Sequence, residues 1–110
     1  MSYKIITTTR FEKDVKPLVK KYTSLKKDLQ KLRTALMKNP FTGTPLGKEC
    51  YKIRLNISSK RKGKSGGGRV ITCVKILHQS VYLLMLYDKS ETGSISDKEL
   101  DTALKETGLL

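Results

Sequence analysis

The 110-residue chain has no tryptophan, one histidine, two cysteines and three prolines, and only ten acidic residues against 23 Lys and Arg. Each scarcity removes a class of function. With a single histidine, His78, neither a Ser–His–Asp relay nor a histidine-rich metal site has its parts. His78 falls in the turn-like stretch His78-Gln79-Ser80 and reads as a solvated turn residue. The two cysteines, Cys50 and Cys73, have no metal-ligand spacing, and a lone pair in such a chain reads as two reduced thiols. No metal or cofactor is therefore expected. Residues 1–10 lack the apolar stretch of a secretory signal. The longest strongly apolar run, residues 81–87, is far shorter than the ~20 residues that cross a bilayer. The expectation is a cytoplasmic protein with no membrane role, folded as one domain over residues 1–110 around one modest core.

The shortage of acids is uneven. Residues 1–50 and 51–89 each carry an excess of eight positive charges, whereas residues 90–110 are net acidic, and the formal net charge is +13. A surface of this kind attracts polyanions. Nucleic acid is the first partner class, because lysines and arginines that neutralise phosphates release counterions. An anionic membrane surface or an acidic protein is the rival.

What is present has readable periodicity. Residues 3–9 (YKIITTT) are β-branched and predict a strand. Phe11, Val15, Leu18, Val19 and Tyr22 then recur at helical spacing, with Pro17 marking a start or a bend. Thr23-Ser24 offers a cap to a second helix bearing Leu25, Leu29, Leu32 and Leu36, which stops before Asn39-Pro40. Residues 41–47 read as a loop. Residues 50–57, 69–77 and 81–87 read as strands, and Ser96 with Glu99 forms the S-x-x-E capping box of a last helix ending near Gly108. No internal repeat is found. The order β-α-α-β-β-β-α predicts an α+β fold, a mostly antiparallel sheet with the N-terminal helical hairpin on one face.

Alternation assigns the side chains of the first of the three consecutive strands. Tyr51, Ile53, Leu55 and Ile57 share the face that meets the helices. Lys52 and Arg54 share the other, read as open. Arg69 begins the next strand across the block SSKRKGKSGGG, and Lys89 follows the last one. These four cations are expected to converge on one concave surface. The glycines at 63 and 66–68 would let backbone N–H groups approach a phosphate. GKSGGG lacks Walker A spacing and the helix that a P-loop feeds, so nucleoside triphosphate binding is excluded. RNA cleavage suits this kit, because RNA supplies its own nucleophile, the 2′-OH. The protein need only align it, take its proton, stabilise the phosphorane and protonate the leaving oxygen. A lysine crowded by cations is a possible base.

The stretch YKIRLNISSKRKGKSGGGRVITCV, followed by VYLLMLYDKSE and ISDKEL, resembles the RelE/HigB superfamily of bacterial type II toxins, within the wider RelE/ParE group. The resemblance covers nearly the whole chain and is carried by K-x-R, the glycine-rich GKSGG-x-RVI and Y-x-K-x-E together. It implies a microbial RNase-like fold, ribosome-dependent cleavage of mRNA, and neutralisation by a cognate antitoxin. Residue by residue, it implies catalytic roles for Lys52, Arg54, Arg69, Lys89 and Glu91, with Lys52 the preferred general base. Lys60, Arg61, Lys62 and Lys64 are read as RNA-binding residues of a mobile loop. Tyr87 is either a core residue or an acid–base group. Two alternatives stand beside this reading: a ParE-like gyrase inhibitor, and a catalytically inactive RNA-binding relative.

Overall fold

A computed structural model describes residues 2–60 and 67–109. Nine segments follow one another: β1 (Lys4–Thr7), α1 (Thr9–Lys21), α2 (Leu25–Lys38), β2 (Thr44–Gly47), β3 (Cys50–Leu55), β4 (Gly68–Lys75), a 3₁₀ turn (Ile76–His78), β5 (Ser80–Asp88) and α3 (Asp97–Glu106). The five strands form one sheet in the order β1-β5-β4-β3-β2. Only the β1–β5 pair is parallel. The expected α+β, mostly antiparallel architecture is thus observed.

The helix ends follow local chemistry. The Thr8 hydroxyl accepts from the Phe11 N–H at 3.2 Å and starts α1. The helix runs unbroken across Pro17, so that proline neither starts nor ends it. Pro17 is exposed, and the stripe Phe11, Val15, Leu18 and Tyr22 holds the helix to the sheet regardless. Ser24 caps α2 by position only. Its hydroxyl donates to Asp28 Oδ2 at 2.6 Å rather than accepting from the first turn. The capping box of Ser96 and Glu99 is present in full.

One expectation fails at residues 41–47. Part of this stretch is an edge strand, β2, paired with β3 from Thr44↔Lys52 to Gly47↔Cys50. Pro45 and Gly47 obscured it, yet an edge strand tolerates a proline because one side of its backbone needs no partner. The connection is two residues, Lys48 and Glu49, both at positive φ. That geometry belongs to a type I′ hairpin, whose usual Asn-Gly signal is missing here.

The sheet is covered on both faces. Ile53, Leu55, Ile57, Val70, Val74, Val81, Leu83 and Leu86 pack against α1 and α2. Cys50, Ile71, Cys73, Leu84, Met85 and Tyr87 pack against Leu100, Ala103 and Leu104 of α3. The face expected to be open is therefore partly closed by α3; Arg54 is exposed and Lys52 half-buried there, while Arg69 is buried. A bulge between Ile71 and Thr72, opposite Met85 and Leu83, inserts Leu84 into β5. It breaks the alternation, so Val81 and Leu83 face the helical hairpin while Met85 and Tyr87 face α3.

Candidate active site

The register of β3, β4 and β5 places Arg54 opposite Arg69 and Arg69 opposite Tyr87. Directly opposed residues of an antiparallel sheet lie on the same face, with Cβ atoms about 5 Å apart. Arg54, Arg69 and Tyr87 thus form one transverse row on the α3 side. The adjacent row is Lys52, Ile71 and Met85, so Lys52 sits beside the arginines, between Ile71 of β4 and Thr44 of β2. Along the row, exposure falls. Arg54 is exposed, while Arg69 and Tyr87 are buried at 9% and 8%. The outer cation meets solvent; the inner pair sits where the local dielectric is low and a charge acts strongly.

Two inner groups have distinct environments. Arg69 Nη1 donates to the Gly68 carbonyl at 3.0 Å, which fixes the guanidinium against its own strand. The Tyr87 hydroxyl is buried with no hydrogen-bond partner. Burial pushes its pKa up; the Arg69 charge opposes this, and Glu99 of α3 adds to it. Tyr87 is accordingly a neutral phenol with an unused donor, a state that costs about 1–3 kcal/mol unless something completes it.

Lys89 lies one ladder step past the row. Its N–H donates to the Gly67 carbonyl at 3.1 Å, and its ammonium donates to the Gly93 carbonyl at 2.5 Å. It borders the row, with its charge turned to the segment before α3. Gly67 and Gly68 are buried against neighbouring backbone, and Gly63 and Gly66 lie outside the described residues. A Cβ on Gly67, at φ +59, would stand 2.4 Å from the Leu55 carbonyl oxygen.

Two other sequence-derived residues are taken elsewhere. Glu91 accepts from Lys21 Nζ of α1 at 2.8 Å. Lys60 donates to Asp88 Oδ1 at 2.7 Å and to Ser90 Oγ at 3.3 Å, and its ammonium lies over the Tyr22 ring. Asp88 had no place in the sequence reading, yet its carboxylate is a buried node. It also accepts from the Tyr22 hydroxyl at 2.6 Å and from the Ser90 N–H at 3.0 Å. Burial alone would raise the Asp88 pKa, but the bonds from Lys60, Tyr22 and Ser90 outweigh it and hold the carboxyl well below the usual range. Asp28 acts alike one step earlier, accepting from the Ser58 N–H at 3.0 Å and its hydroxyl at 2.8 Å. Ser59 N–H donates to Ser24 Oγ at 2.8 Å. The loop read as mobile is therefore anchored at Ser58, Ser59 and Lys60. Arg61, Lys62 and Lys64 lie outside the described residues.

A family model described as RelE toxin of the RelE/RelB toxin–antitoxin system matches residues 3–109. The chain belongs to the RelE toxin family. Among solved structures it resembles the E. coli toxin RelE, as a double-arginine mutant in the free state (TM-score 0.57, 18% identity, 98% of this chain and 96% of that one). The isolated E. coli RelE in a second form gives 0.55 and 18%, with 94% and 97% covered. The RelBE2 toxin–antitoxin complex of Mycobacterium tuberculosis gives 0.60 and 17%, with 80% and 99% covered. No curated protein sequence matches significantly. At these identities the solved structures establish the RelE fold. Among the described residues, no helix is long and apolar enough to cross a membrane.

Proposed function

We propose that this RelE-family chain is an mRNA endoribonuclease that acts on the ribosome and is held in check by a cognate antitoxin. The observation that carries the reading is the row Arg54, Arg69 and Tyr87 with Lys52 beside it. An exposed arginine at the mouth and a buried arginine within form a graded electrostatic guide for one phosphate. In this reading Arg54 receives the backbone, and Arg69 stabilises the added negative charge of the phosphorane, an effect of ~3–4 kcal/mol for one preorganised donor. Lys52, the preferred base, takes the 2′-OH proton while that oxygen attacks phosphorus in line. The bond from phosphorus to the 5′-oxygen breaks, the leaving 5′-oxygen takes up a proton from water, and a 2′,3′-cyclic phosphate is left. Tyr87 hydrogen-bonds the phosphate or the leaving oxygen with the donor that has no partner in the fold. Lys89 closes the border of the site, and the charge of Glu91 is used up on Lys21.

Exposed lysines on the helical hairpin, among them Lys13, Lys16, Lys20, Lys27 and Lys31, extend the positive field beyond the site and suit a particle made of RNA. The toxin–antitoxin complex among the structural neighbours supports an antitoxin partner. An acidic antitoxin segment laid over the row would neutralise the face the substrate needs.

The test adds purified wild-type, Arg54→Ala and Arg69→Ala chains to translating ribosomes and maps mRNA ends. New 5′ ends with the wild type, reduced at least tenfold by either change, support the reading. Intact mRNA together with trapped gyrase on DNA would favour the ParE-like alternative instead. Intact mRNA with neither effect points to the inactive relative. Arg54→Ala is the cleaner variant, because Arg54 is exposed and its loss leaves no cavity.

A further inference from the structure

We propose that Cys50 and Cys73 are a modification site: a dithiol that closes to a reversible cross-strand disulfide clasping β3 to β4. This goes beyond the ribonuclease reading and does not depend on it. Cys50 lies directly opposite Cys73 in the ladder. The next pair outward is closed by the Val74 N–H bonding the Glu49 carbonyl at 2.9 Å. Hydrogen-bonded and non-hydrogen-bonded pairs alternate along an antiparallel ladder, so Cys50 and Cys73 form a non-hydrogen-bonded pair. Such pairs hold their Cα atoms about 4.5 Å apart, within the ~4.4–6.8 Å that a disulfide spans. Both side chains point to the α3 side, both thiols are free, and both are buried. The Cys50 thiol donates to the Lys48 carbonyl at 3.4 Å.

The surroundings make the two sulfurs unequal. Pairing with Cys50 lowers the Cys73 pKa and outweighs the effect of burial, with Lys75 helping, while Cys50 holds its proton toward the Lys48 carbonyl. Cys50 keeps the proton and is pushed up. Cys73 is thus the nucleophile and Cys50 the resolving thiol. The oxidant is a low-molecular-weight disulfide. Cys73 thiolate attacks it, forms a mixed disulfide and releases one small thiolate, which takes up the Cys73 proton. Cys50 then loses its proton, attacks the Cys73 sulfur and releases the second small thiol. Two protein thiols are oxidised by two electrons, and one small disulfide is reduced to two thiols. Access requires only that α3, ten residues long, lift Ala103 and Leu104 from the pair, a local opening smaller than global unfolding. The closed bridge joins the ends of the segment that carries Lys52, Arg54 and Arg69, and keeps those strands in register.

The experiment incubates the folded wild-type chain with excess glutathione disulfide, then maps its peptides by mass spectrometry and measures its melting point with and without dithiothreitol. The expected product is a monomer lighter by two hydrogens, with Cys50 and Cys73 in one linked peptide pair. It should melt roughly 10 °C higher, a gain that reductant removes, since the bridge shortens a loop in the unfolded chain. Cys50→Ala should stop at one glutathione adduct on Cys73. Three outcomes overturn the proposal: thiols that stay unreacted while the denatured chain reacts, a wild-type adduct that never resolves, or bridging between molecules only. A bridged monomer that melts lower overturns the clasp.

Discussion

Replacing Tyr87 by phenylalanine separates the two roles a buried tyrosine can have. In most cores the hydroxyl is bonded, and its loss costs about 1 kcal/mol. Here the hydroxyl has no partner and pays a desolvation penalty, so its removal should leave the fold unchanged or more stable by up to about 1–2 kcal/mol. For a domain of this size that corresponds to a rise in Tm of roughly 0–8 °C. The ring stays in the buried cluster on the α3 side, so no cavity confuses the result. If the same hydroxyl is the donor for the scissile phosphate, cleavage should fall by about 10²–10³-fold. The assay is a thermal melt beside single-turnover cleavage on translating ribosomes, with antitoxin-free protein. The raised pKa of Tyr87 adds a constraint: the phenol stays protonated through neutral pH, so this step should bring no alkaline limb near pH 7. A variant that melts several degrees lower and cleaves within threefold of wild type would refute the reasoning on both counts, because the hydroxyl would then be structural.

Asp88→Asn should cost roughly 3–5 kcal/mol in urea denaturation, since it strands the Lys60 ammonium, 13% exposed, without its counter-charge; Lys60→Met in the same chain should recover part of the loss. The depressed Asp88 pKa means that the unfolded chain takes up this proton first as pH falls. The stability it contributes is complete above about pH 5 and is lost progressively toward pH 2; a flat stability profile between pH 5 and pH 3 would count against the node. Arg54→Ala, at an exposed position, should shift stability by no more than ~0.5 kcal/mol while lowering cleavage at least tenfold. Binding of a non-cleavable single-stranded RNA should weaken with salt, with a log–log slope at least as steep as about −1.4 if Arg54 and Arg69 each neutralise a phosphate at ~0.7 per contact.

How far the sequence reached differs from element to element. The strands at residues 50–57, 69–77 and 81–87 stood out because β-branched and apolar residues are bounded by glycine-rich or turn-forming stretches, and the observed strands lie within a few residues of them. The capping box at Ser96 marked α3 because two side chains and two N–H groups satisfy one another locally. Edge strand β2 was hidden because its hairpin is closed by Lys48 and Glu49, residues with no special preference for positive φ. Of the site, the shared face of Lys52 and Arg54 was legible from alternation. The commitment of Lys60 to Asp88 and of Glu91 to Lys21 was not, because each partner comes from a distant part of the chain.

By itself, then, the sequence determined what depends on neighbours along the chain: the helices, the capping box of α3, the period of β3, the positive charge, and the motifs of the RelE family. The tertiary structure decided what depends on neighbours across it. Alternation tells which residues of a strand share a face, but not what covers that face, and α3 covers part of the one that carries the cations. Nor does alternation survive a bulge. The extra residue Leu84 reverses the parity of β5, and so sets Tyr87 beside Arg69 while turning Asp88 toward Tyr22 and Lys60. A one-residue shift in pairing moves every later side chain to the opposite face, and only the partner strand fixes where that shift occurs.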